Sequence, residues 1–184
     1  MKKNIFAAGI ITGMAVLVNN AAADSYHYSP YVGADYIYSR AKFNGTHPEY
    51  HAGGIYVGSE YGQNFSTELF FNQSGSDTKN FATAKVKTSN RNYGLDVMAY
   101  LPFGEKNEFN LIATAGIGEY VFKNTVSGDK HHNDHGYGYR FGGGFKYAFT
   151  PNWQTRILAR YVKLDQISDF KYTSEYSVGV EYHF

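Results

Sequence analysis

The amino-acid sequence predicts an all-β fold, an eight-stranded antiparallel transmembrane β-barrel, from three observations. Apolar and polar residues alternate with period two over eight separate stretches, as strands with one face in lipid and one in a lumen require. Connections between those stretches are short and long by turns, the rhythm of tight turns on one side of a membrane and longer loops on the other. The chain also opens with an export signal.

That signal comes first in chain order. Lys2 and Lys3 precede an apolar run from Ile5 to Val18, and Ala21-Ala22-Ala23 offers an A-x-A cleavage site before Asp24. Residues 1–23 therefore read as a secretory signal peptide and 24–184 as the barrel. The run is shorter than the roughly 20 residues a spanning helix needs. With 18 Tyr, 14 Phe, 20 Gly and no Cys, the composition suits a β-rich protein that needs no disulfide framework. The 17 basic and 16 acidic residues nearly cancel; discounting Lys2 and Lys3 leaves one acid in excess. That balance disfavours a nucleic-acid partner.

The first four strands are expected at about residues 30–40, 51–61, 65–73 and 89–101, with Asp35, Glu60, Glu68 and Asp96 turned to the interior. A fifth follows at 109–122. The sixth, at 137–149, splits most cleanly: Tyr137, Tyr139, Phe141, Phe145, Tyr147 and Phe149 share one face, while Arg140 and Lys146 share the other with small residues. At 153–163 Trp153, Ile157 and Tyr161 oppose Arg156 and Arg160; at 172–184 Tyr176, Val178, Val180, Tyr182 and Phe184 oppose Glu175, Glu181 and His183. Short turns fall at Gly62-Gln63-Asn64, 102–108 and Thr150-Pro151-Asn152, and longer polar loops at about 41–50, 74–88, 123–136 and 164–171. Aromatics at the strand ends (Tyr61, Phe65, Phe149, Trp153, Tyr182, Phe184) mark an interfacial girdle. Alternation alone would also fit a soluble sandwich; girdle, loop rhythm and signal decide for the barrel.

One hairpin is used twice. Asn64-Phe65-Ser66-Thr67-Glu68-Leu69 and Asn152-Trp153-Gln154-Thr155-Arg156-Ile157 both follow a strand and a tight turn, which sets Glu68 and Arg156 at equivalent lumen positions. Six acids (Asp35, Glu60, Glu68, Asp96, Glu175, Glu181) thus meet four bases (Arg140, Lys146, Arg156, Arg160). Eight strands enclose a space just wide enough for side chains to fill, so these charges are expected to pair as a plug. A narrow gated ion path is the alternative use of the same residues. On this facing, Phe145→Arg should hinder insertion and Gly144→Ser should be mild.

Other candidate chemistry is sparse. Lys130-His131-His132-Asn133-Asp134-His135 sits in the third long loop, and His131, His132, Asp134 and His135 carry metal-ligand atoms. A short His-rich tract is compositional evidence only, so no metal or cofactor is assigned. His27-Tyr28-Ser29, the one His-x-Ser, is read as a tail ahead of the first strand, with nothing to fix a Ser–His–acid geometry. Loop two mixes Lys79, Lys85 and Lys87 with Phe81 and hydroxyl residues, a composition that suits contact with lipopolysaccharide phosphates or a host protein and suits a solvated loop equally well.

The stretch Gly138-Tyr139-Arg140-Phe141-Gly142-Gly143-Gly144-Phe145-Lys146-Tyr147-Ala148-Phe149-Thr150-Pro151-Asn152-Trp153 and the ending Tyr176-Ser177-Val178-Gly179-Val180-Glu181-Tyr182-His183-Phe184 resemble the small OmpA/OmpX-like outer-membrane β-barrel family. The resemblance implies that the last strand, with Tyr182 and terminal Phe184, is the signal read by the barrel-assembly machinery. It also implies roles in envelope integrity, adhesion to host cells or immune evasion. Because the chain ends with the barrel, a cell-wall tether is not expected. The expectation is a monomeric, non-enzymatic outer-membrane protein in contact with lipid and lipopolysaccharide, offering its loops to a host-surface ligand. A narrow channel and a lipid A-modifying enzyme, an activity some eight-stranded barrels have, are the alternatives.

Overall fold

The computed structural model describes residues 28–43, 48–75, 77–81, 84–104, 108–126, 132–165 and 170–184. The signal segment 1–23, His27 and His131 lie outside them. Among the described residues nine strands occur in chain order: β1 (Tyr28–Phe43), β2 (Glu49–Tyr61), β3 (Phe65–Ser74), β4 (Asp77–Phe81), β5 (Ala84–Phe103), β6 (Phe109–Val126), β7 (His132–Ala148), β8 (Trp153–Asp165) and β9 (Phe170–His183). Both β3 and β4 pair with β5, β3 from Phe65↔Ala99 to Gln73↔Arg91 and β4 from Asp77↔Thr88 to Phe81↔Ala84. They are consecutive pieces of one stave, so the barrel has eight staves. It closes where β1 meets β9, from Tyr31↔His183 to Phe43↔Phe170. Every ladder is antiparallel, and closure removes the unpaired edges that lipid would not tolerate.

The strands are longer than the alternation indicated. Residues expected in loops are paired: β1 runs to Phe43, β6 to Val126, β8 to Asp165, and β7 begins at His132. Most of the stretch read as loop two is a β4–β5 hairpin in which Lys79 faces Val86 across the ladder and Lys85 faces Asn80. The physical reason is that backbone pairing continues above the membrane, where both faces are wet and no alternation is demanded of the side chains. At the other end the turns are tight. Gly62 takes φ +65° in the β2–β3 turn, a left-handed conformation that glycine adopts without steric cost. The Trp153 N–H donates to Thr150 Oγ1 at 2.9 Å in the β7–β8 turn.

The alternation sorts side chains into lipid and lumen. Val32, Ile55, Val57, Val97, Leu111, Ile117, Ile157, Val178 and Val180 point outward and are exposed in the isolated chain. Below this band a ring of aromatics marks the turn side: Phe103 packs on Phe109 at 5.6 Å, Phe109 on Tyr147 at 4.8 Å, Trp153 on Tyr182 at 5.1 Å and Tyr182 on Phe184 at 5.3 Å between centroids. Above it Tyr38 stacks on Tyr176 at 6.5 Å and Tyr161 on Tyr172 at 5.1 Å. A polar collar then follows, with Arg40 against Glu49 at 3.7 Å and His135 against Glu119 at 3.0 Å. Two aromatic girdles around an apolar band are the signature of a transmembrane barrel, its short turns periplasmic and its longer connections outside.

Candidate functional site

The lumen is the most elaborate part of the molecule. Asp35, Glu68, Asp96, Arg140, Lys146, Arg156, Arg160, Glu175 and Glu181 are all buried there, and Glu60 is partly buried at the periplasmic mouth with 18 % of its side chain exposed. These ten side chains form one connected network. Arg156 donates to Glu68 at 2.5 and 3.1 Å and to Asp35 at 3.0 Å, and lies 3.8 Å from Glu181. Arg140 makes a two-pronged bond with Asp96, its Nε donating at 2.7 Å, and approaches Glu175 at 3.7 Å. Arg160 spans Asp96 at 3.5 Å, Glu175 at 3.7 Å and Asp35 at 4.0 Å, and donates to Ser177 Oγ at 3.2 Å. Lys146 bonds Glu60 and lies 3.4 Å from Glu181.

Aromatic rings complete the enclosure of the cations. Arg140 lies over Phe70 at 3.3 Å, Arg156 over Tyr56 at 3.6 Å and Lys146 over Tyr100 at 4.1 Å from the ring centroids. A desolvated cation gains appreciably from a ring face, and in the tyrosines the ring also carries a donor. Tyr31 donates to Glu68 at 3.3 Å and Tyr56 to Glu181 at 3.4 Å. Apolar clusters fill the remaining interior: Tyr31, Tyr56 and Phe70; Met98, Tyr100, Ile112 and Leu158; and toward the outer end Ala41, Tyr50, Tyr120, Phe122, Val162 and Leu164. These rings escaped the sequence reading because an inward aromatic interrupts the expected polar phase.

Two inward glycines admit the acids. A Cβ on Gly179 would fall 1.8 Å from Asp35 Oδ1, and one on Gly116 would fall 1.9 Å from Asp96 Oδ1. The carboxylates occupy the space that side chains there would need. Gly144 corrects the expectation that Gly144→Ser is mild: its Cβ would lie 1.9 Å from the Ile157 carbonyl oxygen, and a backbone atom in a closed ladder cannot move aside cheaply.

The remaining candidates are placed as follows. Tyr28 and Ser29 are not a tail: they open β1, Tyr28 paired with Tyr61 and Ser29 with Glu60. Ser29 Oγ lies 3.2 Å from His183 Nδ1, and His183 Nε2 donates to Glu181 Oε1 at 3.1 Å. The Ser–His contact at this mouth therefore involves His183 from the far end of the chain, which proximity in sequence could not suggest. His132, Asp134 and His135 are strand residues of β7, not loop residues, because the β6–β7 ladder extends to Asn124↔His132. His135 is exposed on the outer collar beside Glu119. At the C-terminus Phe184 points outward, and its N–H donates to the Pro30 carbonyl at 3.1 Å, tying the last residue to β1.

The fold matches known proteins in a consistent way. Residues 8–184 match the family described as outer membrane protein beta-barrel domain. The fold is similar to that of Ail, the attachment invasion locus protein of Yersinia pestis, with a TM-score of 0.63 at 17% identity over 85% of this chain and 98% of that one. It is also similar to Neisserial surface protein A, with a TM-score of 0.66 at 18% identity over 86% and 99%. The N-terminal barrel domain of Pseudomonas aeruginosa OprF gives 0.59 at 14% identity over 86% and 100%. A search of curated protein sequences returns no match. The small outer-membrane barrel that the residue motifs resemble is the architecture found, and the chain belongs to the outer membrane protein β-barrel domain family.

Proposed function

We propose that this protein is a non-enzymatic, monomeric surface barrel that supports the envelope and binds a host-surface ligand through its extracellular end. One observation carries the reading: the lumen is filled by a connected network of charges capped by an apolar cluster, so the surfaces left for a host ligand are the outer connections. Loops held on a rigid scaffold are where binding usually resides. The similarity of fold to Ail supports the ligand class, since Ail has been crystallised with the heparin analogue sucrose octasulfate. Here Lys79, Lys85 and Lys87 lie on the β4–β5 hairpin beyond the membrane band. Arg40 and Lys42 on β1, Lys163 on β8 and Arg91 on β5 surround the same end, where lipopolysaccharide phosphates lie.

Under this reading residues 1–23 direct export, and Tyr182 with Phe184 is read by the barrel-assembly machinery. The test compares cells lacking the protein, cells restored with it, and cells restored with a Lys79→Gln, Lys85→Gln, Lys87→Gln variant. Binding to immobilised heparin and to host cells should fall on deletion, return with the wild type, and remain low with the variant. Equal binding by all three strains overturns the ligand assignment. Unchanged lipid A acylation across the strains is the expected result for a non-enzyme.

A further inference from the structure

The ion pairs of the lumen are unevenly balanced. In the outer half Asp96 and Glu175 face Arg140 and Arg160, two charges against two. In the periplasmic half Asp35, Glu60, Glu68 and Glu181 face Arg156 and Lys146, with Arg160 reaching Asp35 from the outer half at 4.0 Å. Among the described residues of the lumen network six carboxylates thus meet four Arg and Lys cations, and the excess of acid lies toward the periplasmic mouth. Each carboxylate here shares its cation with another, and buried charge is costly unless compensated, so a further cation has a place at this end.

The donor set that fits one lies at the periplasmic mouth. Glu60, Glu181 and His183 bring ligand atoms within 4.8 Å of one another, from the ends of β2 and β9. Their chemistry is divided. A carboxylate only accepts, so the 3.1 Å contact with Glu181 Oε1 fixes the proton of His183 on Nε2. The Nδ1 lone pair then faces Ser29 Oγ at 3.2 Å and Glu60 Oε2 at 3.9 Å. An imidazole that donates one ring N–H to a carboxylate and presents the lone pair of its other nitrogen, here toward Ser29 Oγ, is the recurrent arrangement of a metal-bound histidine. Two ligands, each about 2.0 to 2.2 Å from a zinc ion, span a gap of this size. Lys146 occupies the other oxygen of Glu60, which leaves Oε2 free to turn to the ion. Glu60 is partly exposed, so ions in the periplasm reach the mouth directly.

We propose that the periplasmic mouth is a binding site for a divalent transition-metal ion, zinc by its ligand set, held by His183 Nδ1, Glu60 and the Ser29 hydroxyl and completed by water. Glu181 is the positioning residue that sets the imidazole. The ion ties β9 to β1 and β2 at the closing seam, so it stabilises the folded barrel by mass action.

The test uses the folded full barrel in detergent micelles, with zinc chloride alone as titrant in calorimetry and cobalt chloride as a spectroscopic substitute. Four proteins are compared: wild type, Glu60→Gln, His183→Gln, and a His131→Ala, His132→Ala, His135→Ala variant that removes the other histidine cluster. Folding of each is checked by its heat-dependent gel shift. One zinc per wild-type barrel, retained by the triple variant and weakened at least tenfold by Glu60→Gln, supports the site, as does a rise in the unfolding temperature of the wild type with zinc. Glu60→Gln keeps size and hydrogen-bonding capacity, so it remains informative if His183→Gln fails to fold. A wild type that takes up no zinc, or uptake untouched by Glu60→Gln, overturns the proposal.

Discussion

Arg156 and Glu68 meet across the lumen through two hydrogen bonds of 2.5 and 3.1 Å, although 88 positions separate them in the chain. They are the corresponding residues of the two similar segments that follow tight turns, Phe65-Ser66-Thr67-Glu68 and Trp153-Gln154-Thr155-Arg156. The repeat sets each three residues inside the periplasmic girdle, and closure of the barrel turns them toward each other. Arg156 also serves Asp35 and Glu181, so one guanidinium holds three acids.

Removing it should therefore do more than delete a contact. Arg156→Ala is expected to destabilise the barrel by about 3 to 5 kcal/mol, because three buried carboxylates lose their shared partner. Urea unfolding in lipid vesicles measures this. The double variant Arg156→Met, Glu68→Gln should lose less than the two single losses combined, the mark of direct coupling. Strict additivity would show that the two side chains do not interact.

The inward glycines give a second test. Gly179→Ala drives a methyl group into the Asp35 carboxylate and Gly116→Ala drives one into Asp96, whereas a Cβ on Gly53 meets nothing within 4 Å. The first two should lower the midpoint of the heat-dependent gel shift by several degrees and Gly53→Ala should leave it unchanged. A cost of about 1 to 3 kcal/mol is usual when a packed interior is overfilled.

The outer face makes its own prediction. Phe145 is 51 % exposed in the isolated chain and faces the lipid. Phe145→Arg should impair insertion and cost about 2 to 4 kcal/mol near mid-membrane, read from folding yield into vesicles. Phe145→Leu should fold normally.

Phe184 joins the end of the chain to its beginning through the Pro30 carbonyl. Deleting it should leave export intact and slow assembly, seen as unfolded protein accumulating in the periplasm. Normal insertion of the truncated chain would remove Phe184 from the assembly signal.

How much of this could be read from sequence depended on what each residue faces. On β7, β8 and β9 the lipid demanded apolar residues at every second position, so Phe141, Phe145, Ile157, Val178 and Val180 announced the facing of Arg140, Lys146, Arg156, Arg160, Glu175 and Glu181. Beyond the membrane that demand lapses. Ala84–Thr88 and His132–Gly136 are paired without alternating, and they read as loop. Partner choice within the lumen was not legible either, because it depends on which staves closure brings face to face. The glycines opposite Asp35 and Asp96 had a signal that could have been used: each sits in the inward phase of a neighbouring strand, where a carboxylate needs room. The contact between Ser29 and His183 had none, since it joins the two ends of the barrel.

The sealed lumen is the claim on which the assignment of function to the outer surface rests, and conductance measures it most directly. Refolded wild-type protein, shown to be folded by its gel shift, should produce no discrete current steps in a planar lipid bilayer under applied voltage. Steady, reproducible steps from that same folded protein would mean that the ion-pair network opens, and would return the function of this barrel to its interior.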